Sequence, residues 1–97
     1  MTRFRVSRKA QADIMDIGRH TQRTWGKDQR RIYLAGLEAE FKLLAENPNL
    51  APERPEFSPR VHLFPYQQHI IVYLPDGDGI LIIRVLHHRM DVPQHLT

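Results

Sequence analysis

Four prolines fall within the stretch NPNLAPERPEFSP, positions 47–59. Proline has no amide hydrogen to give to a helix or a central strand, and it drives the preceding residue out of helical geometry. The stretch therefore ends whatever comes before it and serves as an irregular crossover. On either side of it the hydrophobic pattern differs. Before it, apolar residues recur at the helical period; after it, they follow the two-residue alternation of strands. A chain divided in this way folds as helices laid on a sheet, the α+β arrangement.

The elements can be read in order. RFRVS alternates Phe4 and Val6 with arginines and predicts a short strand. Ser7 is placed to cap a helix, because its hydroxyl can accept from an unpaired amide of the first turn. Ala10, Ile14, Ile17 and Thr21 then share one helical face to about residue 24. Gly26, in the sequence WGK, supplies the permissive backbone of a tight turn. Tyr33, Leu34, Leu37, Phe41 and Leu44 form the stripe of a second helix, which Asn47–Pro48 ends. Three strands are predicted after the crossover: Arg60–Phe64, Gln67–Leu74 and Ile80–His87, the last two joined by the turn PDGDG. The order is β-α-α-β-β-β: an antiparallel sheet with an N-terminal helical hairpin on one face, a single domain over residues 1–97.

Composition limits the possible chemistry. The 97 residues contain no cysteine, so disulfides and cysteine-based zinc sites are excluded. No apolar run is long enough for a signal peptide or a bilayer span, and the expectation is a soluble cytoplasmic protein without a cofactor. Residues 1–50 carry ten Lys and Arg against six Asp and Glu, and residues 51–97 carry four against five. A net charge of +3 is too mild to choose between nucleic acid, an acidic partner and plain solubility.

With tight turns, strand alternation places Val61, Leu63, Ile70, Val72, Leu74, Leu81, Ile83 and Val85 on one face. This aliphatic set is the expected bed for the helices. The opposite face would then collect Arg60, His62, Phe64, His69, Ile71, Tyr73, Ile80, Ile82, Arg84, Leu86 and His88, with His62 opposite His69. Such a mixed face suits a partner or an RNA backbone, or is a half-solvated sheet with scattered apolar residues.

RVLHHRMD, residues 84–91, invites a chemical reading. His87 and His88 are strand neighbours that point to opposite faces, which opposes a shared metal ion, and no H-E-x-x-H motif occurs. Serine-hydrolase and phosphate-loop motifs are absent. Ribonuclease chemistry needs a base, an acid and cations near a phosphate; Arg60, His62, His69, Arg84 and His88 could supply these from one face. Trp25 reads as a core plug that fixes the hairpin, or as a partner anchor. Arg19, Arg23, Lys27, Arg30 and Arg31 read as a solvated helix face, or as a surface for an acidic partner.

VSRKAQADIMDIGRHTQRTWG, QRRIYLAGLEAEFKLLAENP and ILIIRVLHHRMDVPQHL together resemble the ParE branch of the ParE/RelE superfamily of toxins from type II toxin–antitoxin systems. The likeness covers nearly the whole chain. It is sharpest in the arginine-containing last strand followed by His-x-Arg-Met-Asp, here His87, Arg89, Met90 and Asp91. Trp25–Gly26 at the helix turn and Asn47–Pro48 after the second helix also match.

The resemblance implies the RelE-like fold and a toxin that poisons DNA gyrase by stabilising its cleaved-DNA complex, without ribonuclease apparatus. It also implies a cognate antitoxin that wraps a C-terminal segment over the toxin, with DNA contacted only through the antitoxin or gyrase. On the mixed face, Arg60, Ile71, Tyr73, Ile82, Arg84, Leu86 and His88 are the expected antitoxin contacts, acidic residues of the antitoxin meeting Arg60 and Arg84. Trp25, Arg89 and Met90 are the candidates for contact with the target. The alternative is a RelE-like, ribosome-dependent endoribonuclease that uses Arg60, Arg84 and His88. His87 is expected to bond locally and hold the end of the last strand, with Arg89, Met90 and Asp91 closing the fold.

Overall fold

A computed structural model describes residues 3–96. Strand β1 (Phe4–Val6) leads into helix α1 (Arg8–Trp25), Gly26 separates α1 from helix α2 (Lys27–Glu46), and the remaining strands follow. These are β2 (Glu53–Arg54), β3 (Val61–Tyr66), β4 (His69–Asp76) and β5 (Gly79–His87), with a four-residue helix α3 (Val92–His95) at the end. The sheet order is β1-β5-β4-β3-β2. The expected α+β architecture is present, with three additions. β1 joins the sheet edge parallel to β5, β2 forms inside the proline-rich crossover, and α3 follows the RMD signature.

Local chemistry accounts for both helices. The Ser7 hydroxyl accepts from the Ala10 amide at 3.1 Å and donates to the Ile83 carbonyl at 2.8 Å, so one residue starts α1 and attaches it to β5. Gly26 has φ 94°, a left-handed value that favours glycine, and its amide closes α1 on the Gln22 carbonyl. The buried stripes are those expected: Ala10, Ile17 and Thr21 from α1, and Leu37, Phe41 and Leu44 from α2.

The two sheet faces are the reverse of the expected assignment. Ile71, Tyr73 and Ile82 are fully buried beneath the helices, in one core with Phe41, Leu44, Ile80 and Val85. Most of the set expected under the helices lies on the other side. Val61, Val72 and Leu86 form a second cluster there with Leu63, Ile70, Leu74 and Ile83, covered by Phe57, Val92 and Leu96. Both faces are apolar enough to be core, so aliphatic character does not decide between them. Volume does: the gap between a helix pair and a sheet takes large side chains, and Phe4, Tyr33, Phe41, Tyr66 and Tyr73 all occupy it.

A β-bulge explains why Val85 lies with the helices after all. Val72 pairs with Arg84 and Tyr73 with Ile82, which leaves Ile83 as an extra residue in β5. Before the bulge the even-numbered residues Ile80 and Ile82 face the helices; after it Val85 and His87 do. His62 pairs with Tyr73 rather than lying opposite His69. It is 3% exposed, stacks on Tyr73 at 5.0 Å and donates from Nδ1 to the Ala51 carbonyl at 2.7 Å, a satisfied core histidine.

Tyr66 crosses from β3 to α2, where its hydroxyl donates to the Tyr33 carbonyl at 3.1 Å. A Cβ on Gly36 would overlap that hydroxyl. Gly36→Ala should therefore cost about 1–3 kcal/mol by forcing Tyr66 out of place, despite the better helix propensity of alanine. Urea denaturation of both proteins measures this; an unchanged or raised midpoint would show that Tyr66 is not fixed there.

Candidate functional site

β1 has three residues and β5 has nine, so β1 pairs with β5 only as far as Ile82. Beyond that point the edge of β5 meets side chains instead of a strand. The Asp13 carboxylate, on α1, accepts from the Val85 amide at 2.9 Å and receives Arg84 through two bonds, Nε at 2.8 Å and Nη2 at 2.9 Å. The remaining Arg84 nitrogen, Nη1, donates to the His95 carbonyl at 3.0 Å. Both charged side chains are largely enclosed, 17% and 14% exposed, and Asp13 holds the guanidinium pKa above its ordinary value.

This arrangement corrects the reading of Arg84 as a free cation on an open face. Its bonding groups are committed to Asp13 and to the C-terminal turn. Ile71, Tyr73 and Ile82 lie in the core beneath the helices, and Leu86 is buried on the opposite face. The first three are covered because the helices pack on the face expected to be open, and Leu86 is covered by the C-terminal turn with Val92 and Leu96. Arg60 is exposed and 3.5 Å from Glu53, at the end of the sheet away from His88. The strand rows between Arg60 and His88 span about 20 Å. Arg60, Arg84 and His88 therefore do not converge as a catalytic set.

A different constellation does converge. A cavity of about 840 Å³ opens between the helical hairpin and the free end of β5. Ile17 and Thr21 of α1 and Val85 of β5 contribute to its lining. Trp25 stands at the hairpin end of α1, with Arg89 and Met90 following β5. Trp25 is 72% exposed, so it is no core plug, and Met90 is exposed as well. The three residues singled out for target contact thus line one groove.

Histidines line the β5 end of this groove. His69 and His87 are partners across β4 and β5, with ring centroids 5.5 Å apart, and His87 stacks on His88 at 4.5 Å. His20 joins them from α1. The Tyr33 hydroxyl is hydrogen-bonded to His69 Nδ1 at 2.6 Å. Burial, reinforced by the charges of His87, His20 and His88, pushes the His69 pKa down to about 4. Burial first, then His88, Arg89 and His20, lowers that of His87. His87 also makes the expected local bonds: its Nδ1 accepts from the Arg89 amide at 3.2 Å, and its carbonyl from the Met90 amide at 2.9 Å. His88 is exposed and bonded to Gln68. Among the described residues, no group of three or more His, Cys, Asp or Glu side chains could hold a metal ion.

Asp13, which holds α1 against the end of β5, is not among the residues expected from the sequence. Its only signal was an acid beside Ile14 on the flank of the buried α1 stripe, a place that asks for a partner. The Tyr33–His69 pair had no signal beyond residue type.

Removing one side of the enclosed ion pair leaves the other charge uncompensated. Arg84→Ala should cost about 3–5 kcal/mol, Asp13→Asn a comparable amount, and Arg84→Lys less; urea denaturation orders the three. A second expectation concerns acid. His69 resists protonation when folded but titrates near 6.5 when unfolded. The stability it contributes is full above pH 6.5 and is lost as the pH falls towards about 4. Denaturation midpoints should decline across that window, and less steeply in His69→Gln; equal slopes would remove His69 as the cause.

Comparison with known proteins identifies the family to which this fold belongs. The family described as the ParE toxin of the type II toxin–antitoxin system parDE matches residues 4–92. A Toxin ParE of Escherichia coli is 33% identical over 98 residues, covering 100% of this chain and 95% of that protein. A Toxin ParE1 of Caulobacter vibrioides is 31% identical over 96 residues, with 99% of each chain covered, and a Toxin ParE1 of Mycobacterium tuberculosis is 33% identical, with 98% of each covered. Among solved structures, a chain from the chromosomal ParDE TA system of P. aeruginosa superimposes with a TM-score of 0.75 at 22% identity, over 90% of this chain and 96% of that one. The fold is thus shared, and across its length this chain belongs to the ParE toxin family of type II toxin–antitoxin systems.

Proposed function

We propose that this protein is the toxin of a toxin–antitoxin pair that acts in the cytoplasm on DNA gyrase, by binding and not by catalysis, and that its antitoxin lies in the groove beside β5. The observation that carries the reading is the unpaired end of β5 next to an apolar groove with an exposed tryptophan. An antitoxin segment placing apolar residues between Trp25 and Met90 would bury surface that the free toxin leaves in water. Aromatic anchors at the rim of such a pocket commonly dominate binding energy.

The same geometry gives neutralisation a physical form. Trp25, Arg89 and Met90, the proposed target contacts, line the groove that the antitoxin would fill. Occupancy would therefore hide them from gyrase by occlusion, with no conformational change required. The ribonuclease alternative loses its expected residues, because Arg84 is tied to Asp13 and Arg60 lies at the far end of the sheet.

Purified toxin added to gyrase, plasmid DNA and ATP should block supercoiling or accumulate linear DNA. The small protein encoded by the adjacent reading frame should reverse the effect. Trp25→Ala should weaken that complex by about thirtyfold, a hot-spot loss of about 2 kcal/mol. Gyrase that is unaffected at saturating toxin would end the gyrase assignment, and messenger RNA cut on ribosomes would replace it.

A further inference from the structure

We infer that the histidine end of the groove is a receptor for a carboxylate side chain of the bound antitoxin segment, and that seating this carboxylate draws a proton onto the histidines. The inference rests on the groove reading above and adds to it the chemistry of one subsite.

The charged and titratable groups around this end come from every wall. α1 brings His20, Asp13 and Asp16; α2 brings Tyr33; β4 brings His69; β5 brings His87, with His88 and Arg89 following it. The two acids are already engaged. Asp13 is saturated by Arg84 and the Val85 amide, and Asp16 pairs with Arg19 at the surface. Among the described residues no carboxylate pairs with Arg89 or with any of the four histidines. Hydrogen bonds engage His69 and His87 through Nδ1, to Tyr33 and to the Arg89 amide, and among the described residues no hydrogen bond engages either Nε2. An arginine and three imidazoles thus line one end of the groove, and the acid nearest His69, Asp13, is itself tied to Arg84.

Such an assembly does not charge itself. Burial first opposes a proton on His69 or His87; the neighbouring imidazoles oppose it further, joined by Arg89 at His87 and only partly offset by Asp13 at His69. A carboxylate placed among them reverses the balance, since it stabilises the protonated ring and the guanidinium together. A monoanionic carboxylate suits the site better than a phosphate. The lining is mainly apolar, so a second negative charge would lose its hydration there with few donors to replace it. The proton comes from solvent and lands on the ring nitrogen that was accepting. On His87 it displaces the Arg89 amide from Nδ1, and on His69 the Tyr33 hydroxyl accepts from the new N–H, while the carboxylate accepts from Nε2.

The sign follows from linkage. The histidines bind more protons in the complex than in the free toxin, so affinity rises as the pH falls through the bound-state pKa. The experiment is calorimetric titration of the toxin with the protein of the adjacent reading frame. It is run near pH 8 and near pH 6, in two buffers of different ionisation enthalpy, with Trp25 emission recorded in parallel. Trp25 is the only tryptophan in this chain, and it reports groove occupancy when the partner has none or when its tryptophans are replaced by phenylalanine. The expected result is an affinity about fivefold higher near pH 6, net uptake of up to about one proton, and a shift of Trp25 emission. His87→Gln with His20→Gln should flatten the pH dependence and keep the emission shift. Should those variants unfold, the proton count of the unmodified protein decides alone. An emission shift with no proton uptake and no pH dependence overturns the carboxylate receptor and leaves the groove reading intact. A complex that forms without altering Trp25 emission, or no complex at all, overturns both.

Discussion

The pairing of Arg84 with Asp13 fixes the geometry on which the groove depends. β1 ends at Val6, and from there α1 has to be held against β5 without strand hydrogen bonds. Asp13 does this by accepting three bonds at once, two from the guanidinium and one from the Val85 amide. The partners are 71 residues apart, so one contact joins the first helix to the last strand. The same guanidinium reaches the His95 carbonyl and holds the C-terminal turn, whose Val92 helps to cover the opposite apolar face. Groove wall, strand end and outer cover thus meet at a single side chain.

The helical half of the chain was legible because each of its signals has one local cause. Ser7 caps, Gly26 adopts a left-handed φ, and Pro48 cannot continue α2. The sheet was harder to read because its faces differ in volume rather than in polarity. Alternation correctly separated Ile71 and Tyr73 from Ile70 and Val72. Nothing in the alternation says which set lies beneath the helices. The bulge at Ile83 then changed the parity of the last strand, and no turn residue announces it.

The site was legible in fragments. Trp25, Arg89 and Met90, candidates for target contact that the resemblance itself does not fix, lie on one groove although more than sixty positions separate the first from the others. The candidate set Arg60, Arg84 and His88 fails because each residue was judged by type and face. Arg84 is positive, but an enclosed arginine answers first to the acid beside it. Asp13 could be paired with Arg84 only once the parallel docking of β1 had placed α1 along β5. A contact over 71 residues leaves no trace in local spacing.

The bulge has a further consequence for association between copies of this chain. An unpaired strand edge is a template on which identical chains can stack. Here the edge of β5 is kinked at Ile83, and one of its donors, the Val85 amide, is already taken by a carboxylate pointing in from α1. A second β5 approaching in register would meet an irregular spacing, an occupied donor and the enclosed Asp13–Arg84 pair. The exposed end of β5 is thus a poor template for edge-to-edge pairing.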